Sequence, residues 1–220
     1  MPYQVLDLDA LFQIAQSFAD AQSEVNHISL LGTTDGKAVG TYVEHLFEDY
    51  LTSLFPDVMI GNSARGIDLP DPRLKCDIKV TSIRQPQSSC PYRDSRQKIY
   101  GLGYNLLLFV YEKIDHANDC ELNFRHVALI DSHRTADFTL TRLIRQMLEN
   151  DANIDDMIAL FEDKALPGDE ITLTRLAEEV FDNPPHQGYL TISNALQWRL
   201  QYSRVISLEN GVNGVSNYDR

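Results

Sequence analysis

The sequence predicts an α/β domain in which a mixed central β-sheet is flanked by α-helices. Two observations carry this prediction. Apolar residues recur at helical spacing near the start of the chain and again after about residue 137, and short turn-bounded runs of β-forming residues lie between these regions. The 220 residues, 43% of them hydrophobic, suffice for one well-buried core. We therefore expect a single domain over residues 1–220.

Two amphipathic helices are predicted first. Residues 6–24 place apolar side chains at helical spacing, and a second i, i+3, i+4, i+7 series runs from Val39 to Leu54. The glycine-containing segment 31–36 separates the two series. The second series predicts a helix over about residues 37–54.

Three short segments then predict successive strands of a meander. They are residues 58–60, 66–69 and 75–81, and the turn between the last two is formed by residues 70–72, which are Pro-Asp-Pro. The following polar segment, residues 84–105, has room for a short helix within residues 94–104.

The second half of the chain begins with two further predicted strands. Leu106–Tyr111 is a continuous apolar run, typical of a strand buried on both faces, and residues 124–130 form the next candidate. The C-terminal part, about residues 137–208, is mostly helical in pattern, with breaks at residues 167–168 and 183–185.

The distribution of charge bears on the class of partner. The net charge of −13 argues against a nucleic-acid ligand when it is taken globally. Residues 65–113, however, contain nine Lys or Arg and five Asp or Glu, whereas residues 149–182 contain eleven acidic residues and two basic ones. A basic segment within an acidic protein is compatible with a DNA-binding cleft.

Other classes of protein fit the composition poorly. No apolar run approaches the roughly 18 residues that span a membrane. The three cysteines are too few and too irregularly spaced for a disulfide framework or a zinc ribbon, and the histidines show no spacing typical of a zinc site or a catalytic triad. We expect a cytoplasmic protein with no membrane partner.

The strand around residue 78 carries the first candidate site residues. A strand period of two places Asp77 and Lys79 side by side on one face, while Cys76 and Ile78 point to the other. If the preceding strand folds back antiparallel, Asp68 arrives beside Asp77. Two carboxylates and an ammonium group would then share one small patch.

The second helix supplies another carboxylate. With about 100° per residue, Glu44 lies at the border of the apolar stripe, on the side of Gly40, whereas Glu48 lies further towards solvent. Glu44 can therefore look into the sheet. Hydrolysis of a phosphodiester needs carboxylate oxygens that hold Mg²⁺ and a cation near the nucleophile, and these residue types supply both.

The order Gly40-x-x-x-Glu44, Asp68 and Asp77-x-Lys79 resembles the PD-(D/E)xK nuclease superfamily. This resemblance implies a restriction-endonuclease-like mixed sheet flanked by helices. It also implies Mg²⁺ held by Asp68 and Asp77 with help from Glu44, Mn²⁺ as a substitute, and a Lys79 that orients or activates the attacking water. Asp71 is the second choice for the role of Asp68. It lies six residues before Asp77, and this short spacing leaves little room for a hairpin that brings both acids to one end.

The polar segment after the Asp-x-Lys strand is the candidate DNA-contact region, since Arg and Gln read bases while Lys grips phosphates. Its candidate residues are Arg84, Gln85, Gln87, Arg93, Arg96 and Lys98. With this segment the chain most resembles a type II restriction endonuclease, which implies double-stranded DNA as substrate. A homodimer is expected, because a duplex has two strands and each chain has one site.

Two alternatives remain open at the level of sequence. One is a DNA repair or recombination nuclease of the same fold. The other is a module without catalysis, either a DNA-binding domain that retains the fold or an acidic adaptor.

Overall fold

A computed structural model describes residues 5–61, 66–90, 94–193, 198–209 and 211–220. The α-helices of these residues are α1 Leu8–Ser23, α2 Gly36–Leu54, α3 Arg96–Tyr100, α4 Phe138–Glu149, α5 Ile154–Asp163, α6 Glu170–Asp182 and α7 Ser203–Ile206. The strands are β1 Cys76–Ser82, β2 Gln87–Cys90, β3 Asn105–Asp115, β4 Cys120–Ile130, β5 Thr191–Ile192, β6 Trp198–Gln201 and β7 Val215–Asp219. The predicted α/β architecture with a mixed central sheet is confirmed.

The central sheet has the strand order β1-β3-β4-β7. β1 runs parallel to β3, whereas β3 and β4 pair antiparallel, as do β4 and β7. β1 is therefore an edge strand. Within β3, the six residues Leu106–Tyr111 are all buried, which matches the predicted buried strand. A second sheet of order β2-β6-β5 lies beside it.

The two N-terminal helices cover one face of the central sheet, as predicted. Phe18 of α1 packs edge-on against Phe47 of α2 and Phe109 of β3, with ring centroids 5.1 and 5.7 Å apart. Edge-to-face aromatic pairs of this kind add to the free energy of simple burial. This packing fixes the face of α2 that is turned towards β1.

The predicted meander is wrong in two of its three strands. Residues 58–60 have no strand structure, and residues 66–69 contribute a single antiparallel bridge between Leu69 and Cys76. A long parallel pairing of β1 with β3 replaces the expected local hairpin. Period-two patterns indicate strands but cannot select a partner, because pairing depends on residues distant in the chain.

In the C-terminal part, the helices α4 to α6 end at Asp182, and the short helix α7 comes later. The predicted breaks are confirmed, since residues 167–168 lie between α5 and α6 and residues 183–185 follow α6, but β5 and β6 lie where a helical pattern was expected. Leu200 and Ile192 are paired on the buried face of the second sheet, so the apolar residues there serve a sheet core. In the described part of the chain, no helix is long and apolar enough to cross a membrane.

Candidate functional site

The outer edge of β1 brings the predicted Asp77 and Lys79 together. The Lys79 ammonium lies 2.5 Å from Oδ2 of Asp77, and both side chains are largely shielded from solvent. The alternation of the strand places them on one face, while Ile78 between them packs into the core with α1 and α2. This part of the sequence prediction is confirmed.

Asp68 reaches this edge through a tight reverse connection. Leu69 and Cys76 exchange both backbone hydrogen bonds, at 2.9 and 3.0 Å, and Lys75 has a left-handed φ of 39° that closes the turn between them. The backbone N–H of Ile78 donates to Oδ2 of Asp68 at 2.7 Å. An N–H that would otherwise be exposed at the sheet edge thus orients the Asp68 carboxylate beside Asp77.

The helix α2 contributes two carboxylates to the same place. Oxygens of Glu44, Glu48 and Asp68 all lie within 4.8 Å of one another, and the three residues are half-buried. Gly40, one turn before Glu44, faces Val80 of β1, where a Cβ would lie 3.8 Å from the Val80 carbonyl oxygen. The close packing of α2 on β1 brings these glutamates to the sheet edge.

Glu48 is the residue that the helix analysis missed. It does not turn to solvent but stands one turn after Glu44, on the same side of the helix, close to Asp68. The signal that could have identified it is the i, i+4 spacing, which stacks two side chains on one helix face. The position of Glu48 outside the apolar stripe suggested a solvent-exposed side chain. The stripe marks only the residues that pack in the core, whereas the acidic cluster lies beside it.

The electrostatics of the cluster are those of crowded carboxylates. Burial raises the pKa of Glu44, and the nearby Asp68 raises it further. Burial also raises the pKa of Asp77, against the opposing influence of Lys79, and a hydrogen bond to Asp68 adds to the increase. Burial alone would lower the pKa of Lys79, but the surrounding carboxylates outweigh it and raise that pKa. The site therefore carries more negative charge than Lys79 balances, which favours a cation.

Asp71, the reserve candidate, is engaged elsewhere. Its carboxylate accepts from the side chain of Arg73 at 2.7 and 3.1 Å and from the Arg73 backbone N–H at 2.9 Å. These bonds hold the pKa of Asp71 down to about 2. The geometry favours Asp68 as the acid that shares the site with Asp77.

A cleft of about 630 Å³ opens beside this cluster. Glu44 and Lys79 line this cleft, together with other residues of α2, β1 and the second sheet. The other residues that line it are Gly36, Lys37, Gly40, Thr41, Ile78, Val80, Gln87, Ser88, Ser89 and Arg199. Of the six predicted DNA-contact residues, Gln87 lies in this cleft. Arg199 belongs to β6, far along the chain, and no local pattern pointed to it.

The remaining predicted DNA-contact residues lie outside the cleft lining or outside the described residues. Arg84 and Gln85 are exposed in the turn between β1 and β2, and Arg93 lies outside the described residues. Lys98 is only 5% exposed, so the structure does not present its side chain to a phosphate. Residues 96–100 form the helix α3, in which Ile99 packs into the core with α4, α5 and α6.

Arg96 has a structural role that the sequence did not reveal. Its guanidinium binds Glu179 of α6, with Nη2 at 2.6 Å and Nε at 2.8 Å from Oε1, and lies 4.5 Å from the ring centroid of Tyr100. This ion pair ties α3 to α6, whose outer face is acidic. The pairing leaves Arg96 poorly placed for a nucleic acid.

Replacing Arg96 by alanine therefore separates the two roles. We expect the free energy of unfolding to fall by about 0.5–1 kcal/mol, the usual range for a partly exposed ion pair, while DNA affinity and its salt dependence stay unchanged. Urea unfolding and filter binding measure the two quantities. A loss of affinity without a loss of stability would restore Arg96 to the DNA-contact surface.

The chain is similar in sequence to restriction enzymes along most of its length. A family model described as "Type II restriction enzyme NspV" matches residues 5–217. A curated protein of that description from Nostoc sp. (strain ATCC 29411 / PCC 7524) is 52% identical over 213 residues, covering 96% of this chain and 96% of the relative. The crystal structure of tetrameric restriction endonuclease SfiI bound to cognate DNA aligns with a TM-score of 0.45 and 11% identity, over 96% of this chain and 80% of that one.

Proposed function

Because the chain belongs to the NspV family of type II restriction enzymes and is therefore an endodeoxyribonuclease, we propose that the cluster at the outer edge of β1 is its active site. The observation that carries this proposal is the convergence of Glu44, Glu48 and Asp68 beside the paired Asp77 and Lys79. Its catalytic residues would be Glu44, Asp68, Asp77 and Lys79, with Glu48 as an addition. The substrate is a specific sequence in double-stranded DNA.

The donor set fits a hard divalent cation. Every candidate ligand is a carboxylate oxygen, which suits Mg²⁺ or Mn²⁺ rather than zinc. Asp68 and Asp77, with Glu44, are the residues that would hold Mg²⁺. A bound Mg²⁺ would neutralise charge on the scissile phosphate and make water more acidic. Burial, and after it the proximity of Asp68, raises the pKa values of Glu44 and Asp77, and a cation held there would relieve the repulsion among these carboxylates.

Lys79 supplies the fixed positive charge. Its ammonium is held by Asp77 and is 3.3 Å from the carbonyl oxygen of Ile78, so it projects from the strand in a defined position. From there it can donate a hydrogen bond to an attacking water and stabilise charge that develops on the phosphate. Asp68 is oriented towards the cluster by the backbone N–H of Ile78 in β1, and there it would be one of the residues that hold the metal.

The proposal is tested by digestion of phage DNA with purified protein and Mg²⁺, followed by sequencing of the fragment ends. We expect discrete fragments whose ends share one short sequence. Undiminished cleavage in excess EDTA would contradict the metal site, and smeared fragments with random ends would contradict sequence specificity.

Metal binding should also be visible without catalysis. At a Mg²⁺ or Ca²⁺ concentration one hundred times Kd, ligand linkage adds about 2.7 kcal/mol to stability, which corresponds to an increase in Tm of roughly 5–10 °C for a chain of this size. Differential scanning fluorimetry measures it. Asp77→Asn should abolish most of the increase, whereas Asp71→Asn should keep it. An equal increase in both variants would place the metal elsewhere.

We further propose that two copies of the chain act on one duplex. The described residues of each chain contain one such cluster, and two antiparallel strands must be cut, so a two-fold pair matches a palindromic site. Light scattering on the complex with a target duplex in Ca²⁺ should give the mass of two chains plus DNA. A complex containing one chain that still makes double-strand breaks would refute this arrangement.

A further inference from the structure

The second sheet presents a polar face towards the cleft. On β2, Gln87 and Ser89 alternate with Ser88, and in the antiparallel register they lie opposite Gln201 and Arg199 of β6. Their neighbours in register, Ser88 and Leu200, belong to the other face, where Leu200 is fully buried. Four polar side chains thus share the outward face of β2 and β6, which form a ribbon within the three-stranded second sheet.

This ribbon is held rigidly relative to the catalytic strand. The Thr81 hydroxyl, two residues after Lys79, accepts from the Gln87 backbone N–H at 3.0 Å and lies 3.1 Å from the Gln87 carbonyl oxygen, to which it can donate. Thr81 is only 5% exposed, so the link is protected from water. Gln87, Ser89 and Arg199 consequently line the same cleft as Glu44 and Lys79.

Arg199 stands out on this face. Its side chain is exposed, and the guanidinium group makes no hydrogen bond or ion pair with any residue of the described ranges. The guanidinium groups of Arg96, Arg125 and Arg134 each have such a partner. The other three side chains of the ribbon face are neutral amides or a hydroxyl, and none is acidic, although the protein has a net charge of −13. These four side chains therefore carry no negative charge, although the protein as a whole is acidic.

We propose that Arg199 is a specificity-determining residue that reads a guanine of the target in the major groove. The inference rests on the proposed function and extends it by assigning a base contact. Arginine donates two parallel hydrogen bonds to O6 and N7 of guanine from a planar fork, for which the ammonium of lysine is not an equivalent replacement, and glutamine pairs similarly with adenine.

The composition of the face favours base reading over phosphate binding. A surface that grips only phosphates needs clustered Lys and Arg, whereas this face has one arginine among side chains that both donate and accept hydrogen bonds. Arg199, which lines the cleft together with Glu44 and Lys79, is the residue on which the discrimination should depend.

The experiment first obtains the target from the sequenced fragment ends, and then tests duplexes in which each guanine in turn is replaced by 7-deazaguanine, which lacks the N7 acceptor. For the wild-type protein we expect kcat/KM to fall about tenfold or more at one guanine. Arg199→Ala and Arg199→Lys should cut the unmodified target more slowly, by roughly 5- to 150-fold, and should be insensitive to the replacement at that position. Arg175→Ala, an exposed arginine of α6 outside the cleft, is the matched control and should behave as wild type.

Three results would overturn the inference. A target without a G·C pair would leave Arg199 nothing to read in this way. Arg199 variants that respond to 7-deazaguanine as the wild type does would show a phosphate contact or no contact, and Arg199→Lys with unchanged rate would do the same. In all of these cases the wild-type protein still cuts DNA, so the proposed function survives; a wild-type protein that cuts no duplex would overturn both.

Discussion

Replacing Asp77 by asparagine is expected to reduce the rate of DNA cleavage at saturating Mg²⁺ by at least about a thousandfold. The amide keeps the shape of the side chain but removes the charge of a proposed metal ligand and the ionic partner of Lys79. Interactions of this kind with developing charge typically contribute two to three orders of magnitude each, and this change affects two of them. Single-turnover cleavage of a plasmid that contains one target measures the effect.

Asp71→Asn is the matched control for this experiment. Asp71 lies in the turn just before β1, but its carboxylate is taken up by Arg73, so its loss should leave the cleavage rate within a few-fold of wild type. The Asp77 variant should still fold and bind the target in Ca²⁺, because burial disfavours the charged form of Asp77 in the metal-free protein. An inactive Asp71→Asn beside an active Asp77→Asn would reverse the assignment of the acids.

Replacing Glu44 by glutamine should produce the second large effect, a loss of about one hundredfold or more with DNA affinity retained. Glu44 lies near Asp68 and lines the cleft together with Lys79, and in the proposed site it would be a metal ligand or an acceptor for the attacking water. The change removes charge and preserves shape, so the loss should appear in the rate rather than in folding. Mn²⁺ binds such sites more tightly than Mg²⁺ and should restore part of the rate.

Glu48→Gln should now have an intermediate effect, about tenfold, rather than none. The cluster places Glu48 within reach of both Glu44 and Asp68, and burial with these two neighbours raises the pKa of Glu48. Asp49→Asn, at an exposed position of the same helix, should be silent. A silent Glu48→Gln would return it to the helix surface, whereas an inactive Glu48→Gln with a normal Glu44→Gln would exchange the two roles.

Features set by local geometry were predictable from the sequence. The period of 3.6 residues identified α1 and α2 and placed Glu44 at the border of a buried stripe, and the period of two placed Asp77 beside Lys79. The turn before β1 brought Asp68 to the same edge, as expected, because it is closed within a few residues. The resemblance to PD-(D/E)xK nucleases agreed with these observations, and the family that the chain matches is one of restriction enzymes.

Features that depend on distant parts of the chain were decided only by the tertiary structure. β1 pairs with β3 rather than with its neighbour in sequence, Arg96 binds Glu179, Lys98 is buried, and Arg199 of β6 enters the cleft beside Lys79. A charge on a polar segment looks the same in the sequence whether it faces DNA, a helix or the core. The environment of such a charged side chain is set by the packing of elements that are far apart in the chain. The neighbouring residues in the sequence therefore do not indicate which element it will contact.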